Sequence, residues 1–419
     1  MTTPPPHVVV VGASLAGLNA ARALREYGHT GPVILIGAEP YGPYDRPPLS
    51  KDFLTSDAGH PALALADTSA LGLTESYGRR AVGLDVDGRA VHLDDGRIVP
   101  YDGLVVATGA GARSWPHPLP AEGVHAIRTL DDAVALRRDL GGARRRLLVA
   151  GGGFLGCEVA ATAHESGHDV LLACRGPAPL HRALGEDAAS FVADLHRAAG
   201  VSVLTHAPVT ALHGRGRGHG RVTSATLGGG TSGPERRVGA DTVLLALGAT
   251  PHTEWLVGSG LRLDRGGLVT DASARALGAD GRPCPRIVAA GDVTRFPHPH
   301  ATGLLDLGHW SNAVEQARTA AHALLNPDAP AVHRPVASFW STQFGVRFRA
   351  VGLPREADRA ETRELDVAKR RLDIAYYRDD RLVGALTANR AARITRYREE
   401  LAADLAAVAA GGLAADGNP

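Results

Sequence analysis

Cysteine is scarce in this chain of 419 residues, which contains Cys157, Cys174 and Cys284 and no others. Their odd number excludes a framework of paired disulfides, and their wide spacing excludes a structural zinc site. We expect no metal site. The same scarcity is typical of a protein that works in a reducing cytoplasm.

The chain also has almost no net charge and no long apolar runs. The 45 Lys and Arg residues nearly balance the 44 Asp and Glu residues, so the chain has no overall attraction to nucleic acid or to an anionic membrane. The segment MTTPPPH lacks the basic and apolar regions of a signal peptide, and no run approaches the roughly 18 apolar residues of a membrane helix. We therefore expect a soluble protein without nucleic-acid or membrane partners.

The composition is that of an ordinary globular protein, with 44% hydrophobic and 21% charged residues. At roughly 100 to 200 residues per domain, the length predicts about two to four domains. Glycine and proline are frequent, but they are scattered between apolar segments as turn residues rather than arranged in repeats.

A glycine-rich turn, GASLAG, follows the β-branched run Val8–Val11 and opens the helical pattern LNAARALREYG. Strand, turn and helix in this order form a dinucleotide-binding unit, in which N–H groups at the helix N-terminus face a pyrophosphate. Glu39 ends the next strand, 27 residues after Gly12, near the offset of about 20 at which a carboxylate takes the ribose hydroxyls. The predicted turn contacts are Gly12, Ser14 (in place of the middle glycine), Leu15, Ala16 and Gly17.

A second turn of this kind lies in VAGGGFLGCEVA, again between an apolar strand and a helix. One such motif is weak, because glycine-rich turns also arise where a strand and a helix merely pack closely; two complete units are much stronger. Two nucleotide sites indicate one permanently bound cofactor and one that exchanges, with electrons passing between them. The predicted contacts are Gly151, Gly153, Phe154, Leu155, Gly156 and Glu158.

Further stretches carry a family resemblance, and they occur in the family's order. They are PYDRPPLSKDFL, YDGLVVATGA, GVHAIRTLDDA, ADTVLLALGATP, RIVAAGDVTRF, GHWSNAVEQA, FWSTQFG and RLVGALTANR. On these stretches the chain resembles the pyridine-nucleotide-dependent flavoprotein reductases of the glutathione-reductase structural type. More narrowly, it is similar to the ferredoxin reductases that serve Rieske oxygenases and haem-thiolate monooxygenases.

The resemblance implies an α/β fold with two Rossmann-like nucleotide-binding domains and a C-terminal α+β domain. A discontinuous FAD-binding domain would occupy residues 1–111 and 239–326, with the NAD(P)H-binding domain inserted at 112–238. The C-terminal domain would follow at 327–411, and a disordered tail at 412–419. The glycine-rich stretch before residue 239 is typical of a long, loosely ordered hairpin.

The activity implied is that of an FAD-dependent NAD(P)H:ferredoxin oxidoreductase, a monomer or weak homodimer that passes electrons singly to a small iron–sulfur ferredoxin. One alternative is an NAD(P)H oxidase, or a quinone-reducing or redox-sensing flavoprotein related to apoptosis-inducing factor. A binding protein without redox activity is another, against which the intact second turn argues. The cysteine pair of the disulfide reductases is absent from YGPYDRPPLSKDFL, which separates this chain from them.

Two residues are implied to act in catalysis. Lys51 would lie at the isoalloxazine edge, where its charge stabilises reduced flavin, and Trp310 would wall the nicotinamide pocket. For Lys51 and Arg46 the alternative is a solvated surface cation, although the adjacent prolines favour function; for Trp310 and Trp340 it is core packing. The other cofactor contacts implied are Arg46, Val82, Ala107, Thr108, Gly109, Arg128, Gly248, Gly291, Asp292 (to a ribityl hydroxyl) and His309.

Three positions depart from the family pattern. Gly308 and Thr342 stand where many members carry an acidic residue, and His252 interrupts the usual RPN sequence. The loss of negative charge near the flavin leads us to expect a flavin potential or a nicotinamide fit that differs from the family norm.

The coenzyme preference depends on the residues at the end of the strand that follows the second glycine turn and its helix. NAD-specific sites place an acidic residue there, which repels a 2′-phosphate. Here Cys174 and Arg175 occupy that position, and Asp169 lies too early. Since a guanidinium can hold a phosphate bidentately, we predict use of both coenzymes, with NADPH at least equal to NADH; the alternative for Arg175 is a solvated turn residue.

Overall fold

The computed structural model describes residues 4–65, 68–215, 220–228 and 234–415. The described residues up to 112 form helix α1 (Leu15–Glu26) and strands β1 (Val8–Val11), β2 (Val33–Gly37), β3 (Thr74–Tyr77), β4 (Ala81–Asp85), β5 (Ala90–Leu93), β6 (Ile98–Pro100), β7 (Gly103–Val106) and β8 (Ala110–Ala112). Short 3-10 helices lie at Pro47–Ser50, Asp52–Thr55, His60–Leu63 and Ser69–Leu71.

The next segment alternates strands and helices. It forms β9 (Val124–His125), α2 (Leu130–Leu140), β10 (Arg146–Ala150), α3 (Phe154–Glu165), β11 (Asp169–Ala173), α4 (His181–Ala199), β12 (Ser202–Leu204), β13 (Val209–Gly214), β14 (Val222–Leu227), β15 (Arg236–Gly239) and β16 (Thr242–Leu245).

The remainder of the chain is rich in strands. It forms β17 (Ala249–Pro251), β18 (Leu263–Asp264), β19 (Gly267–Val269), β20 (Arg275–Leu277), β21 (Pro283–Ala289), β22 (Thr294–Pro297), β23 (Leu304–Leu305), α5 (Trp310–Leu325), β24 (Ser338–Gln343), β25 (Val346–Gly352), β26 (Arg359–Asp366), β27 (Arg371–Arg378), β28 (Arg381–Ala388) and α6 (Ala391–Ala415). Short 3-10 helices lie at Glu254–Leu256 and Pro354–Glu356.

The first sheet joins two segments that are far apart in sequence. Strand β1 pairs in parallel with β2 and β7, and its residues Val8, Val9 and Val10 are fully buried because both faces of a parallel sheet are covered. Strand β21 adds to β7, which gives the order β20-β21-β7-β1-β2-β3. The chain therefore leaves this sheet after β7 and returns to it at β20 and β21.

The second parallel sheet has the order β12-β11-β10-β16-β9. Together the two sheets confirm the predicted class of two Rossmann-like units. Because β16 (Thr242–Leu245) pairs with β10, the sheet assignment places the return to the first domain later than the predicted residue 239. The two crossings between the domains lie side by side as the antiparallel pair β8–β17.

The glycine-rich stretch predicted as a hairpin contributes to the antiparallel sheet β13-β14-β15. Its residues 216–219 and 229–233 lie outside the described part of the chain. Within the residues that are described, none of the helices combines the length and the apolarity needed to cross a bilayer.

The C-terminal domain is an antiparallel sheet of order β24-β25-β28-β27-β26. Helix α6 covers it with Ile394, Tyr397 and Leu401, which share a core with Val351 and Ala385. Helix α6 is described to Ala415, and residues 416–419 lie outside the description; the disordered tail at 412–419 stays a prediction.

The C-terminal sheet packs against both nucleotide-binding domains. Strand β24 contacts α3 and α5, and the rings of Phe191 on α4 and Phe348 on β25 meet edge to face at 6.0 Å. One apolar core continues across this boundary. All three domains therefore meet where α3 and α5 begin.

Gly17 allows α1 to pack on β1. A Cβ atom at this position would lie 1.8 Å from the Gly12 carbonyl oxygen and 3.3 Å from Val10 Cγ1. Since the first of these distances is far below van der Waals contact, no other residue fits without a backbone shift. Gly17 therefore acts through packing, and it does not line the cleft described below.

We predict that Gly17→Ala lowers the melting temperature by roughly 2 to 10 °C, because overpacking of a rigid site costs about 1 to 3 kcal/mol and a domain of about 200 residues shifts by about 2 to 4 °C per kcal/mol. Differential scanning calorimetry measures the effect. The matched control is Gly303→Ala, since a Cβ at Gly303 meets no atom within 4 Å. Equal melting temperatures for the two variants would contradict the packing role.

Candidate active site

One elongated cleft runs along the carboxyl edge of the first sheet. It consists of two cavities, of about 320 Å³ and about 700 Å³. The two are continuous, because the same residues form part of both walls: Ser14, Tyr44, Arg46, Ala107, Gly109 and Arg128.

The first glycine turn lies in the middle of this cleft. Gly12 has a φ of +118°, and a Cβ atom here would lie 2.1 Å from the Ala107 carbonyl oxygen. Ser14 precedes the first residue of α1 but makes no capping hydrogen bond with its side chain; its hydroxyl instead accepts from Arg46 Nε at 3.2 Å. The N–H groups at the start of α1 therefore remain available to a pyrophosphate.

A carboxylate marks the end of the larger cavity. Glu39 Oε1 is 2.6 Å from Arg46 Nη2, and Glu39 Oε2 accepts from the Tyr44 hydroxyl at 2.6 Å. The same hydroxyl accepts from the Leu130 amide at 2.9 Å. The sequence argument missed Tyr44, although it lies in the quoted PYDRPP segment; the structure shows that it orients Glu39.

Arg128 and Asp292 face each other across the region shared by the two cavities. Their side chains form an ion pair of 2.5 Å, and Arg128 Nε also donates to the Ala110 carbonyl at 2.7 Å. Arg46 in turn donates to the Arg128 carbonyl. Two guanidinium groups thus lie beside the first turn, each paired with a carboxylate that also lines the cleft.

The smaller cavity contains a second ion pair. Lys51 Nζ lies 2.7 Å from Glu158 Oε2, and the same oxygen accepts from the Ser50 hydroxyl at 2.6 Å. Lys51 is therefore not a solvated surface cation. Glu158, which the sequence assigned to the second turn, projects from α3 into this cavity together with Phe154 and Leu155.

Aromatic side chains form the outer wall of the smaller cavity. The rings of Trp310 and Trp340 meet edge to face at 6.2 Å, and Trp310 Nε1 donates to Asp45 Oδ1 at 3.0 Å. Both tryptophans are exposed, by 38% and 46%, so the alternative of core packing is wrong for them. Phe154 and Phe339 lie behind them, with ring centroids 4.7 Å apart.

His309 closes the inner end of the same cavity, immediately before α5 begins. Burial lowers the pKa of His309 to about 4, although the nearby Asp292 carboxylate opposes the shift. The imidazole is therefore neutral at pH 7. Among the described residues its buried Nδ1 has no hydrogen-bond partner.

The second glycine turn repeats the geometry of the first. Gly151 has a φ of +123°, and its Cβ would lie 2.2 Å from the Ala246 carbonyl oxygen. A Cβ at Gly156 would lie 2.0 Å from the Gly151 carbonyl oxygen, and one at Gly152 would lie 2.3 Å from Cys174 Sγ. The N-terminus of α3 lacks a side-chain cap, so its N–H groups are available to a second pyrophosphate.

The residues after β11 decide what the second turn can recognise. Asp169 is the first residue of β11, at the end far from the second turn, and pairs with Arg144. Arg175 follows the other end of β11, near the turn, and is exposed. Burial raises the pKa of the Cys174 thiol to about 11 and that of the Cys157 thiol as well. Both cysteines are buried thiols, and neither lines the cleft.

The cleft brings together most of the predicted site residues. Its walls include Gly12, Ser14, Leu15, Ala16, Glu39, Arg46, Lys51, Val82, Ala107, Thr108, Gly109, Arg128, Phe154, Leu155, Glu158, Gly291, Asp292, His309 and Trp310. The predicted residues outside these walls are Gly17, Gly151, Gly153, Gly156, Arg175 and Gly248.

The groups that line the cleft fit FAD. They include a carboxylate for a ribose, a helix N-terminus for a pyrophosphate with two guanidinium groups beside it, and a cavity with a neutral imidazole and a lysine. The start of α3 lines that cavity, so a nucleotide on the second turn would approach the same place.

Two protein-family models match the chain. The first, pyridine nucleotide-disulphide oxidoreductase, matches residues 6–321, and the second, reductase C-terminal, matches residues 338–417. Among curated relatives, rhodocoxin reductase of Rhodococcus erythropolis is 34% identical, over 84% of this chain and 79% of that protein. Putidaredoxin reductase of Pseudomonas putida is 32% identical, over 94% of this chain and 91% of that protein.

The ferredoxin–NAD(+) reductase component of the biphenyl dioxygenase system of Paraburkholderia xenovorans is 34% identical, over 82% of this chain and 80% of that protein. Among solved structures, the covalent putidaredoxin reductase–putidaredoxin complex matches with a TM-score of 0.86 at 32% identity. The match covers 94% of this chain and 93% of that chain.

We predict that Glu39→Gln weakens FAD binding to the apoprotein by about tenfold or more, because the neutral amide forms weaker hydrogen bonds to a ribose and loses its ion pair with Arg46. Quenching of flavin fluorescence measures the affinity. Glu26→Gln is the control, since Glu26 pairs with Arg318 on the surface. Release of FMN rather than FAD from the denatured wild-type protein would contradict the assignment of this end of the cleft.

Proposed function

From the premise that this chain belongs to the pyridine nucleotide-disulphide oxidoreductase family, we propose that it is an FAD-dependent NAD(P)H:ferredoxin oxidoreductase. Its partner is a small iron–sulfur ferredoxin that supplies a haem-thiolate monooxygenase or a Rieske oxygenase. The observation that carries the proposal is the meeting of the two nucleotide turns. Helix α3, which the second turn opens, begins inside the cavity that the first turn's cleft leads to.

When bound, FAD accepts a hydride from the dihydronicotinamide and releases the electrons one at a time to an iron–sulfur acceptor. Lys51 supplies a cation to the cavity, and Glu158 fixes its position. The N-terminus of α5 adds the positive end of a helix dipole at His309. No side chain is required as a general acid or base, since orientation and electrostatics are sufficient for hydride transfer.

The described cleft residues include no cysteine. Disulfide reduction, the activity in the family's name, needs a redox-active cysteine pair beside the flavin. The burial of Cys157 and Cys174 supports the same distinction from disulfide reductases, because it raises the pKa of each thiol and so keeps the thiol protonated. The scarcity and wide spacing of cysteine in the sequence also support the proposal that the protein works in the cytoplasm.

Stopped-flow reduction by NADH and by NADPH, followed by addition of a panel of ferredoxins, tests the proposal. We expect flavin bleaching by the nucleotide and re-oxidation by at least one ferredoxin, with ferredoxin-dependent reduction of cytochrome c. Oxygen consumption that exceeds electron delivery to every ferredoxin would instead support the NAD(P)H oxidase or redox-sensor alternative.

The face that we propose for the ferredoxin lies beside the exposed Trp340. Across the C-terminal sheet, Trp340 pairs with Arg349, Arg349 with Thr387 and Thr387 with Asp373. Arg393 reaches Asp373 at 3.6 Å. With strands about 4.8 Å apart, this row places Asp373, the partner of Arg393, roughly 14 Å from Trp340.

Residues 390–398 contain four arginines, a charge run that is typical of a solvated face or of a surface that steers an acidic partner. Arg390 is engaged by Glu364, and Arg398 lowers the pKa of Glu315, which partial desolvation raises. Arg393 and Arg396 are exposed on the first turns of α6, and Arg393 stays about half exposed beside its longer contact of 3.6 Å to Asp373. These two are therefore the residues that we propose to attract an acidic ferredoxin.

We predict that Arg393→Glu combined with Arg396→Glu raises the KM for ferredoxin by about tenfold at low ionic strength and leaves flavin reduction by NAD(P)H unchanged. Steady-state cytochrome c reduction and stopped-flow reduction measure the two steps. Arg236→Glu with Arg237→Glu, on the exposed strand β15, is the matched control. An unchanged ferredoxin KM at low salt would remove this surface from the proposal.

The coenzyme preference is proposed from the end of β11. The exposed Arg175 and the absence of an acidic residue there support NADPH use at least equal to NADH use. We predict that Arg175→Ala lowers kcat/KM with NADPH by about tenfold, or about 1.4 kcal/mol, and barely changes it with NADH. Arg144→Ala, at the far end of β11, is the control. A wild-type preference for NADH above about a hundredfold would overturn the prediction.

A further inference from the structure

A line of buried polar side chains leads away from the Lys51–Glu158 ion pair. Glu158 Oε1 accepts from the Ser341 hydroxyl at 2.7 Å, and the Ser341 oxygen accepts from Gln343 Nε2 at 3.1 Å. Gln343 Oε1 lies 2.9 Å from His196 Nε2. Ser341, Gln343 and His196 are at most 1% exposed, so solvent does not compete for these hydrogen bonds.

The donor and acceptor roles along this line have one consistent arrangement. A carboxylate only accepts, so the Ser341 hydroxyl must donate to Glu158, and its oxygen is then free to accept from the amide of Gln343. The Gln343 carbonyl oxygen must accept, so His196 carries its proton on Nε2. If the amide were reversed, its oxygen and the Glu158 carboxylate would compete for the one Ser341 proton.

His196 ends the line. Burial lowers the pKa of His196, although its hydrogen bond to Gln343 opposes the shift, so the imidazole is neutral and has one N–H. Its Nδ1 has no hydrogen-bond partner among the described residues. The single N–H is therefore directed at Gln343.

The line crosses all three domains. Lys51 and Ser50 belong to the FAD-binding segment, Glu158 and His196 to helices α3 and α4 of the inserted domain, and Ser341 and Gln343 to β24 of the C-terminal sheet. Buried polar groups cost stability unless every partner is in place. The C-terminal domain therefore contributes one donor, the Ser341 hydroxyl, to a carboxylate in the flavin cavity.

We propose that Ser341, Gln343 and His196 are positioning residues for hydride transfer, which hold the Glu158 carboxylate and through it the Lys51 ammonium. This inference rests on the proposed function. The Ser50 and Ser341 hydroxyls each donate a hydrogen bond to Glu158 and thereby offset part of its negative charge. Lys51 consequently keeps more of its positive potential for the reduced flavin.

Without the hydrogen bond from Ser341, the negative charge of Glu158 would offset more of the positive charge of Lys51. We expect Ser341→Ala to lower the limiting rate of flavin reduction by about tenfold, with the KM for the nucleotide within about twofold of wild type. The midpoint potential of the bound flavin, measured by dye-linked spectroscopic titration, should become more negative. Ser224→Ala is the matched control, because Ser224 is a buried strand serine that bonds Arg237 outside this line.

The far end of the line gives a second, independent pair of variants. His196→Leu removes the N–H donor, whereas His196→Gln keeps one at a similar reach. We expect His196→Leu to shift the midpoint potential in the same direction as Ser341→Ala, and His196→Gln to remain near wild type. FAD content and melting temperature are measured for each variant, so that loss of folding is recognised.

The measurements on these variants distinguish a positioning role of Ser341 and His196 from a packing role. If Ser341→Ala and His196→Leu lower the melting temperature but leave the midpoint potential and limiting rate at wild-type values, the residues serve packing alone and the inference is overturned. Failure of the proposed function is seen separately, as a wild-type flavin that neither nucleotide reduces.

Discussion

The architecture depends on two strand-to-helix turns in which the backbone leaves no room for a Cβ atom. At Gly12 that atom would meet the Ala107 carbonyl, and at Gly151 the Ala246 carbonyl, at 2.1 and 2.2 Å respectively. Only glycine permits this approach at a positive φ. Each turn directs an uncapped helix N-terminus at the carboxyl edge of its sheet, and each therefore offers the N–H groups that a pyrophosphate needs.

The second feature on which the site depends is the buried Lys51–Glu158 pair. Removing two charges from water is costly, and a carboxylate with only one partner would not compensate for that cost. Ser50 and Ser341 supply the additional donors. Because these donors come from different domains, the packing of α3 against β24 is part of the electrostatics of the cavity as well as of the core.

Sequence reasoning found the residues that carry local signals. The glycines of both turns, Glu39 after β2 and the segment around Arg46 lie within or beside recognisable patterns, and the structure brings most of them into one cleft. It missed Tyr44, which orients Glu39, because a tyrosine in a loop has no spacing to single it out. Sequence reasoning also placed Glu158 at the second nucleotide, because the position of Glu158 on α3 shows which turn precedes it. That position does not show which cavity the Glu158 side chain faces.

The sequence by itself determined the two βαβ units, because period and turn chemistry are properties of neighbouring residues. It also determined the absence of a redox cysteine pair. Only the tertiary structure decided that β16 stays in the inserted sheet and that Trp310 and Trp340 form an exposed wall. The line from His196 to Lys51 is of the same kind, since its members are brought together by packing between domains, and no local pattern records which buried donors will meet.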